Sequence, residues 1–241
     1  MLEIRMWRSY LLTYPFILLY VAIIVPLFVP LTWLTRSIRP IYWMARQGCR
    51  VGLALSGVRL RLLSPERARL HPCCVFVANH VSNVEAPALF AVLPRVAVII
   101  KDSLGRIPLL GYTMRMGGFI PVDRGAKQSR RQALRDATQT LQSGISMLVF
   151  PEGTRNPTEE LLPFRTGPFQ MAIETGVPVV PITVHNARAL MPKGARHLRP
   201  GVLTLSFHTP VPTAGLAEGD RLALMTKVRQ SMQAALVSKP A

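Results

Sequence analysis

From Tyr10 to Leu34 the chain carries no charged side chain. As a helix this run would reach about 37 Å at about 1.5 Å per residue, enough to cross a hydrocarbon core of about 30 Å. Three prolines interrupt it: Pro15, Pro26 and Pro30. Each removes a backbone donor and crowds the preceding turn, so a kinked or broken helix is predicted. The stretch between Pro15 and Pro26 is too short to span alone. Two shapes stay open, a kinked transmembrane helix and a re-entrant hairpin within one leaflet. A cleaved signal peptide fits poorly, because the run exceeds the usual apolar region and no small-x-small site follows. Arg5 and Arg8 precede the run, while Arg36, Arg39, Arg46 and Arg50 follow it. This imbalance places the C-terminal side in the cytoplasm. Ile41 to Leu55 then reads as an amphipathic helix with Ile41, Met44, Gly48, Val51 and Leu55 on one face. Tyr42 and Trp43 suit a water–lipid interface. Residues 1–55 are therefore expected to form hydrophobic and amphipathic membrane-anchoring helices.

Residues 56–241 have a different pattern. Val58–Leu62 alternates with Arg59 and Arg61, as a half-buried strand does. Cys74–Ala78, Val96–Ile100, Ser146–Phe150, Val177–Val184 and Val202–Phe207 are short apolar or β-branched runs that predict buried strands. Helical segments are expected at Ala86–Val92, Ser129–Ser143 and Pro168–Thr175, with Gly144 and Gly176 at C-terminal caps. A last helix, Arg221 to Val237, would bury Leu222, Met225, Val228, Met232 and Leu236. Alternation of strand and helix predicts an α/β domain: a mostly parallel sheet flanked by helices, preceded by the hydrophobic helical anchor.

Charge narrows the function class. There are 29 Lys and Arg against 12 Asp and Glu, a net +17, and the pI is near 11.2. Such an excess calls for a polyanion nearby. A hydrophobic fraction of 49% favours an anionic membrane or a phosphorylated substrate over nucleic acid. The aromatic-rich basic clusters that stack bases are absent. Cys49, Cys73 and Cys74 make a poor disulfide framework, and Cys74 reads as a small buried hydrophobe. No metal-binding spacing occurs, so neither a metal nor a cofactor is expected.

Two motifs carry chemistry. Asn79-His80-Val81-Ser82-Asn83-Val84-Glu85 follows a predicted strand. A neutral imidazole is a competent base near neutral pH, and its second nitrogen needs an acceptor. Glu85 supplies one if His80 lies in the loop and Glu85 in the first turn of the helix. A capping His with a dipole-stabilising carboxylate fits this spacing equally well. Phe150-Pro151-Glu152-Gly153-Thr154-Arg155 also follows a strand. Gly153 permits a tight turn, and Arg155 can grip a phosphate with two N–H groups. An ordinary Pro-Glu-Gly turn is the plain alternative. His71, His185, His197 and His208 have no carboxylate at motif spacing and read as surface or satisfied polar residues.

In four ordered blocks the chain resembles the 1-acylglycerol-3-phosphate acyltransferases, the lysophosphatidic acid acyltransferases of the wider glycerolipid family. These are Asn79-His80-x-Ser82-x-x-Glu85; Lys101 through Pro108, Gly111 and Gly118 to Arg124; Phe150–Arg155 with Phe164-Arg165-Thr166-Gly167; and Val177–Ile182. The likeness covers about residues 55 to 210. It implies acyl transfer from acyl-CoA or acyl-carrier protein to the sn-2 hydroxyl of 1-acylglycerol 3-phosphate, giving phosphatidic acid. It implies His80 as general base and Glu85 as its partner. Lys101, Arg124 and Arg155 would bind the acceptor phosphate, and Glu152, Gly153 and Thr154 would shape the head-group pocket. The likeness of the N-terminal segment to bacterial members implies an enzyme on the inner membrane, its active site facing the cytoplasm. Two features depart from the family pattern. The usual acid is Asp, where this chain has Glu85, one methylene longer. Arg165 stands where Lys is frequent. Other acceptors, lyso-ornithine lipid or lysophosphatidylethanolamine, and a weakly active membrane-binding module of the same fold are the rival readings.

Overall fold

The computed structural model describes residues 7–123, 125–158 and 160–238. Helix α1, Tyr14–Thr35, is entered through a π-helical turn, Arg8–Thr13, and stopped by Arg36 in the left-handed region. Helix α2, Arg39–Leu55, returns alongside it. Pro15 is the second residue of α1, which directly follows the π-helical turn. Pro26 and Pro30 lie inside α1, which nevertheless continues to Thr35. The break predicted from the prolines is thus absent. Near them the hydroxyls of Thr32 and Thr35 donate to the carbonyls of Phe28 and Leu31, 2.7 and 2.8 Å away.

The two helices pack antiparallel. Tyr20 lies against Gly48, where a Cβ would meet its ring at 2.6 Å, and its hydroxyl donates to the Met44 carbonyl. Both ends of α1 also touch the α/β domain. At the entry, Ser9 Oγ accepts from Leu198 N–H at 2.9 Å, and Thr13 and Ser56 share a hydroxyl hydrogen bond. At the exit, the Trp33 indole N–H donates to the Tyr112 hydroxyl at 3.0 Å. Helix α2 is covered on two sides. Ile41, Tyr42, Gly52 and Leu53 are buried, whereas Val51 and Trp43 are exposed. Tyr42 is therefore no interface residue: its hydroxyl donates to the Val96 carbonyl and accepts from the Val96 N–H.

Seven strands form one sheet: β1 Val58–Leu63, β2 Val75–Ala78, β3 Val96–Lys101, β4 Ile120–Val122, β5 Ser146–Val149, β6 Val179–His185 and β7 Gly201–Phe207, in the order β1-β7-β6-β2-β5-β3-β4. Only the β6–β7 pairing is antiparallel. Period-two alternation splits the core. Phe76, Ala78, Leu148, Val180 and Ile182 meet Leu53 and helix α3, Glu85–Val92, on one face. Val75, Val77, Met147, Val149 and Val179 meet three other helices on the opposite face. Those are α5 Lys127–Gln142, α6 Gly167–Thr175 and α7 Arg221–Val237; a short α4, Leu110–Met116, precedes β4. On α7 the buried stripe is Leu224, Val228 and Met232, and Leu222 is exposed. Gly144 and Gly176 take positive φ after α5 and α6, as expected.

Candidate active site

β2 and β5 are adjacent and parallel, yet the chain leaves them for helices on opposite faces, α3 and α6. Between their carboxyl ends lies a topological switch point, where open α/β sheets form ligand crevices. His80 follows β2, and Phe150–Arg155 follows β5.

Helix α3 starts at Glu85, so its first exposed N–H groups face back onto the loop. Glu85 is fully buried. Its Oε1 accepts the N–H groups of Val81 at 2.8 Å and Ser82 at 2.9 Å, while Ser82 Oγ accepts from Val84 N–H. Its Oε2 lies 2.6 Å from His80 Nδ1. A neutral ring fits this spacing with Nδ1–H donating, which leaves Nε2 as a free lone pair. Nε2 has no hydrogen bond to the described residues. Burial pushes the Glu85 carboxyl above its ordinary range; the imidazole and the two N–H groups pull it back.

The backbone of His80 is fixed from the second motif. Its N–H donates to Glu152 Oε1 at 2.8 Å, and its carbonyl accepts from Asn156 N–H at 2.7 Å. The other Glu152 oxygen accepts from Leu162 N–H at 3.2 Å. Glu152 is buried, and burial raises its pKa against the pull of those two N–H groups. Phe150 stacks on the His80 ring with centroids 4.2 Å apart. Asn79 extends the sheet beneath: its side-chain amide donates to the Val184 carbonyl and accepts from Val184 N–H. Gly153 has φ +69°, and the Arg165 side chain lies where a Cβ would stand.

The expected residues divide accordingly. His80, Glu85 and Glu152 form one bonded cluster. Glu152 spends both oxygens on backbone N–H groups. Thr154 is exposed and Arg155 half-buried at the same strand end. Arg155 makes no ion pair or hydrogen bond with the described residues. Lys101 ends β3, two strand spacings or about 10 Å from β2. It lines a cavity of about 360 Å³ with Asp102, Ser103, Arg106, Val122, Asp123 and Gly125. Arg124 lies outside the described residues. Phe150, Asn79 and Asn156 had no role assigned from sequence. The first two sat inside the motifs, and Asn156 follows immediately after one. Among the described residues no group of three His, Cys, Asp or Glu side chains is placed to hold a metal.

The arrangement is an imidazole backed by a buried carboxylate at a strand end. Residues 44–185 match the family described as Acyltransferase. A chloroplastic 1-acyl-sn-glycerol-3-phosphate acyltransferase of Brassica napus is 35% identical over 57% of this chain and 40% of its own length. The human alpha enzyme of that name is 32% identical over 74% of this chain, and the beta enzyme 28% over 73%, each across 64% of its length. The chain thus spans between two fifths and two thirds of these relatives. The crystal structure of the 1-acyl-sn-glycerophosphate acyltransferase PlsC from Thermotoga maritima shares the fold, with TM-score 0.78, 23% identity, and coverage of 98% of this chain and 99% of that one. The chain belongs to the acyltransferase family, and it is with 1-acyl-sn-glycerol-3-phosphate acyltransferases that it aligns.

Proposed function

We propose that this chain transfers a fatty acyl group from a thioester, acyl-CoA or acyl-carrier protein, to the sn-2 hydroxyl of 1-acylglycerol 3-phosphate, giving phosphatidic acid. The observation that carries the reading is the His80–Glu85 pair, 2.6 Å apart at the switch point, with the acid fully buried. His80 Nε2 takes the proton of the acceptor hydroxyl as its oxygen attacks the thioester carbon. The buried carboxylate stabilises the imidazolium that forms. Collapse of the tetrahedral intermediate expels the thiolate, which takes the proton back from His80. No acyl-enzyme is formed. Lys101, Arg124 and Arg155 are assigned to the acceptor phosphate. Glu152 is assigned to holding His80, with Gly153 and Thr154 forming the turn that lets it do so.

The reaction is proposed to take place at a membrane surface. Within the 28 residues Arg8–Thr35 the most apolar 18 have mean hydropathy 2.4, and only 11% of those are buried. A helix apolar all round and left uncovered needs lipid around it. Since both of its ends are bonded to the α/β domain, α1 is read as lying within one leaflet.

Purified protein given lysophosphatidic acid and acyl-CoA should yield phosphatidic acid by mass spectrometry, and His80→Ala should lose ~10²–10⁴-fold of that rate. Turnover by the variant within threefold of wild type would overturn the assignment. A panel with lyso-ornithine lipid and lysophosphatidylethanolamine tests the head group.

A further inference from the structure

The segment from Asp102 to Met116, a helical turn, a short loop and α4, carries an apolar cluster that the proposed chemistry does not use. Leu104, Ile107, Leu109 and Tyr112 are 41%, 42%, 49% and 36% exposed, and Pro108 between them is exposed too. Single exposed leucines are ordinary, but four large apolar side chains within nine residues form a patch.

The loop is built to hold that patch out. Gly105 and Gly111 approach so closely at its base that a Cβ on Gly111 would strike the Gly105 backbone. The Arg115 guanidinium donates to the Gly105 carbonyl, and Gly111 N–H donates to the Ile107 carbonyl at 2.8 Å. Leu109 at the tip has φ 60° and ψ −56°, outside the regions that L-residues favour. A strained backbone that presents an exposed leucine marks a functional surface.

Two observations say what covers it. The patch continues the apolar surface of α1: Tyr112 accepts the Trp33 indole hydrogen bond, and Trp33 and Leu34 are 68% and 83% exposed. It is also flanked by exposed cations, Lys101, Arg106 and Arg115. An apolar tip, an aromatic pair and a basic collar match the layers of an anionic leaflet. We propose that the loop 105–111 is a second lipid-contacting element, its tip Ile107-Pro108-Leu109 entering the acyl layer beside the end of α1. This rests on the membrane reading above. It places the cavity beside Lys101 at head-group depth, so an acceptor reaches it from the leaflet without first leaving for water.

The test uses the full chain with Cys73→Ser and one added cysteine carrying an environment-sensitive fluorophore, at Leu109, Leu27 or Glu218. With phosphatidylglycerol vesicles, labels at 109 and 27 should shift to the blue and be quenched by lipids brominated in their acyl chains, and the label at 218 should not. A label at 109 that stays aqueous while 27 is quenched overturns the proposal and leaves the membrane reading intact. If 27 is also unquenched, the membrane reading fails and takes the proposal with it. A blue shift at 109 without vesicles would mean that a second copy covers the patch, which also overturns it. In a second arm, Ile107→Asp and Leu109→Asp should raise KM for vesicle-borne acceptor about tenfold, as expected for losing burial of one apolar side chain. Turnover of a short-chain acceptor dispersed in detergent should stay within twofold. An equal loss on both substrates would make the loop part of the reaction pocket, against the proposal.

Discussion

Glu152→Gln separates two roles for the second motif. If Glu152 walls a head-group pocket, the substitution should act on acceptor binding. The structure instead has both of its oxygens accepting backbone N–H groups, from His80 at 2.8 Å and Leu162 at 3.2 Å. An amide keeps the size but has one acceptor oxygen, so its NH2 must face a backbone donor. One charge-assisted hydrogen bond is lost, worth about 1.5–3 kcal/mol. At about 2–4 °C per kcal/mol for a chain of this size, Tm should fall by roughly 3–12 °C. The catalytic effect comes through His80, whose backbone loses one of its two ties. Misplacing a reacting group by an ångström costs about 10²-fold. The expected result is thus a kcat lowered by about one to two orders of magnitude with acceptor KM within twofold. The assay is steady-state acylation of detergent-dispersed lysophosphatidic acid, with thermal unfolding measured in the same detergent. A raised acceptor KM with unchanged kcat and Tm would refute the positioning role and restore the pocket wall.

Three further outcomes follow from the same geometry. Glu85→Gln should lower kcat ~10²–10⁴-fold, because the amide offers no charge to the imidazolium and can present an N–H to Nδ1. Glu85→Asp should keep activity well above Gln, and equal rates for Glu, Gln and Asp in one assay would remove Glu85 from the mechanism. Arg155→Ala should raise acceptor KM about tenfold or more while leaving donor KM within twofold, with poor rescue by Lys, which lacks the planar fork; equal rises in both constants would argue against phosphate binding. His208 is held down to about 4 by burial, with the Arg67 and His185 charges adding. Its contribution to stability is complete above the ordinary 6.5 and is lost as pH falls towards about 4. Glu85 and Glu152, raised by burial, act in the opposite sense as pH falls. Comparing Tm at pH 7 and 4.5 for wild type and His208→Gln isolates the histidine: the variant should lose less, and equal losses would refute its part.

The α/β core was legible because its strands are short runs whose alternate residues face opposite helical layers. Phe76 and Val77 point to different cores, yet both are fully buried. β4 was not legible. Three residues around Pro121 carry no period, and only pairing with Ile99–Lys101 makes them a strand. The prolines of α1 left a kinked helix and a broken one both open, and the helix runs on to Thr35. Their cost is set by what satisfies the freed carbonyls and what surrounds the helix, neither of which is local. On α2, periodicity put Ile41 and Val51 on one face and Tyr42 at a water–lipid interface, whereas Ile41 and Tyr42 are buried and Val51 is exposed. The helix in fact packs between α1 and α3, and Tyr42 is drawn inward by the first residue of β3. At the site, the His80–Glu85 pair could be read from spacing. The inward turn of Glu152 could not, because its partners are the N–H groups of His80, in the loop after β2, and of Leu162, ten residues further along its own loop.

α3 connects the lipid-facing part of the chain to the chemistry. Its first residue is Glu85, and its eight residues end at Val92. Near that end the Ala91 carbonyl accepts hydrogen bonds from Arg46 Nη2 at 3.3 Å and Arg50 Nε at 3.1 Å. Both arginines belong to α2, and cations are favoured where a helix leaves its last carbonyls unsatisfied. At about 1.5 Å per residue α3 is about 12 Å long, too short to bend appreciably. The two arginines and Glu85 thus sit at opposite ends of one short helix, with no loop between them. The basic residues that a charge count assigns to the water–lipid boundary thus include two that cap the helix bearing Glu85, the acid bonded to His80.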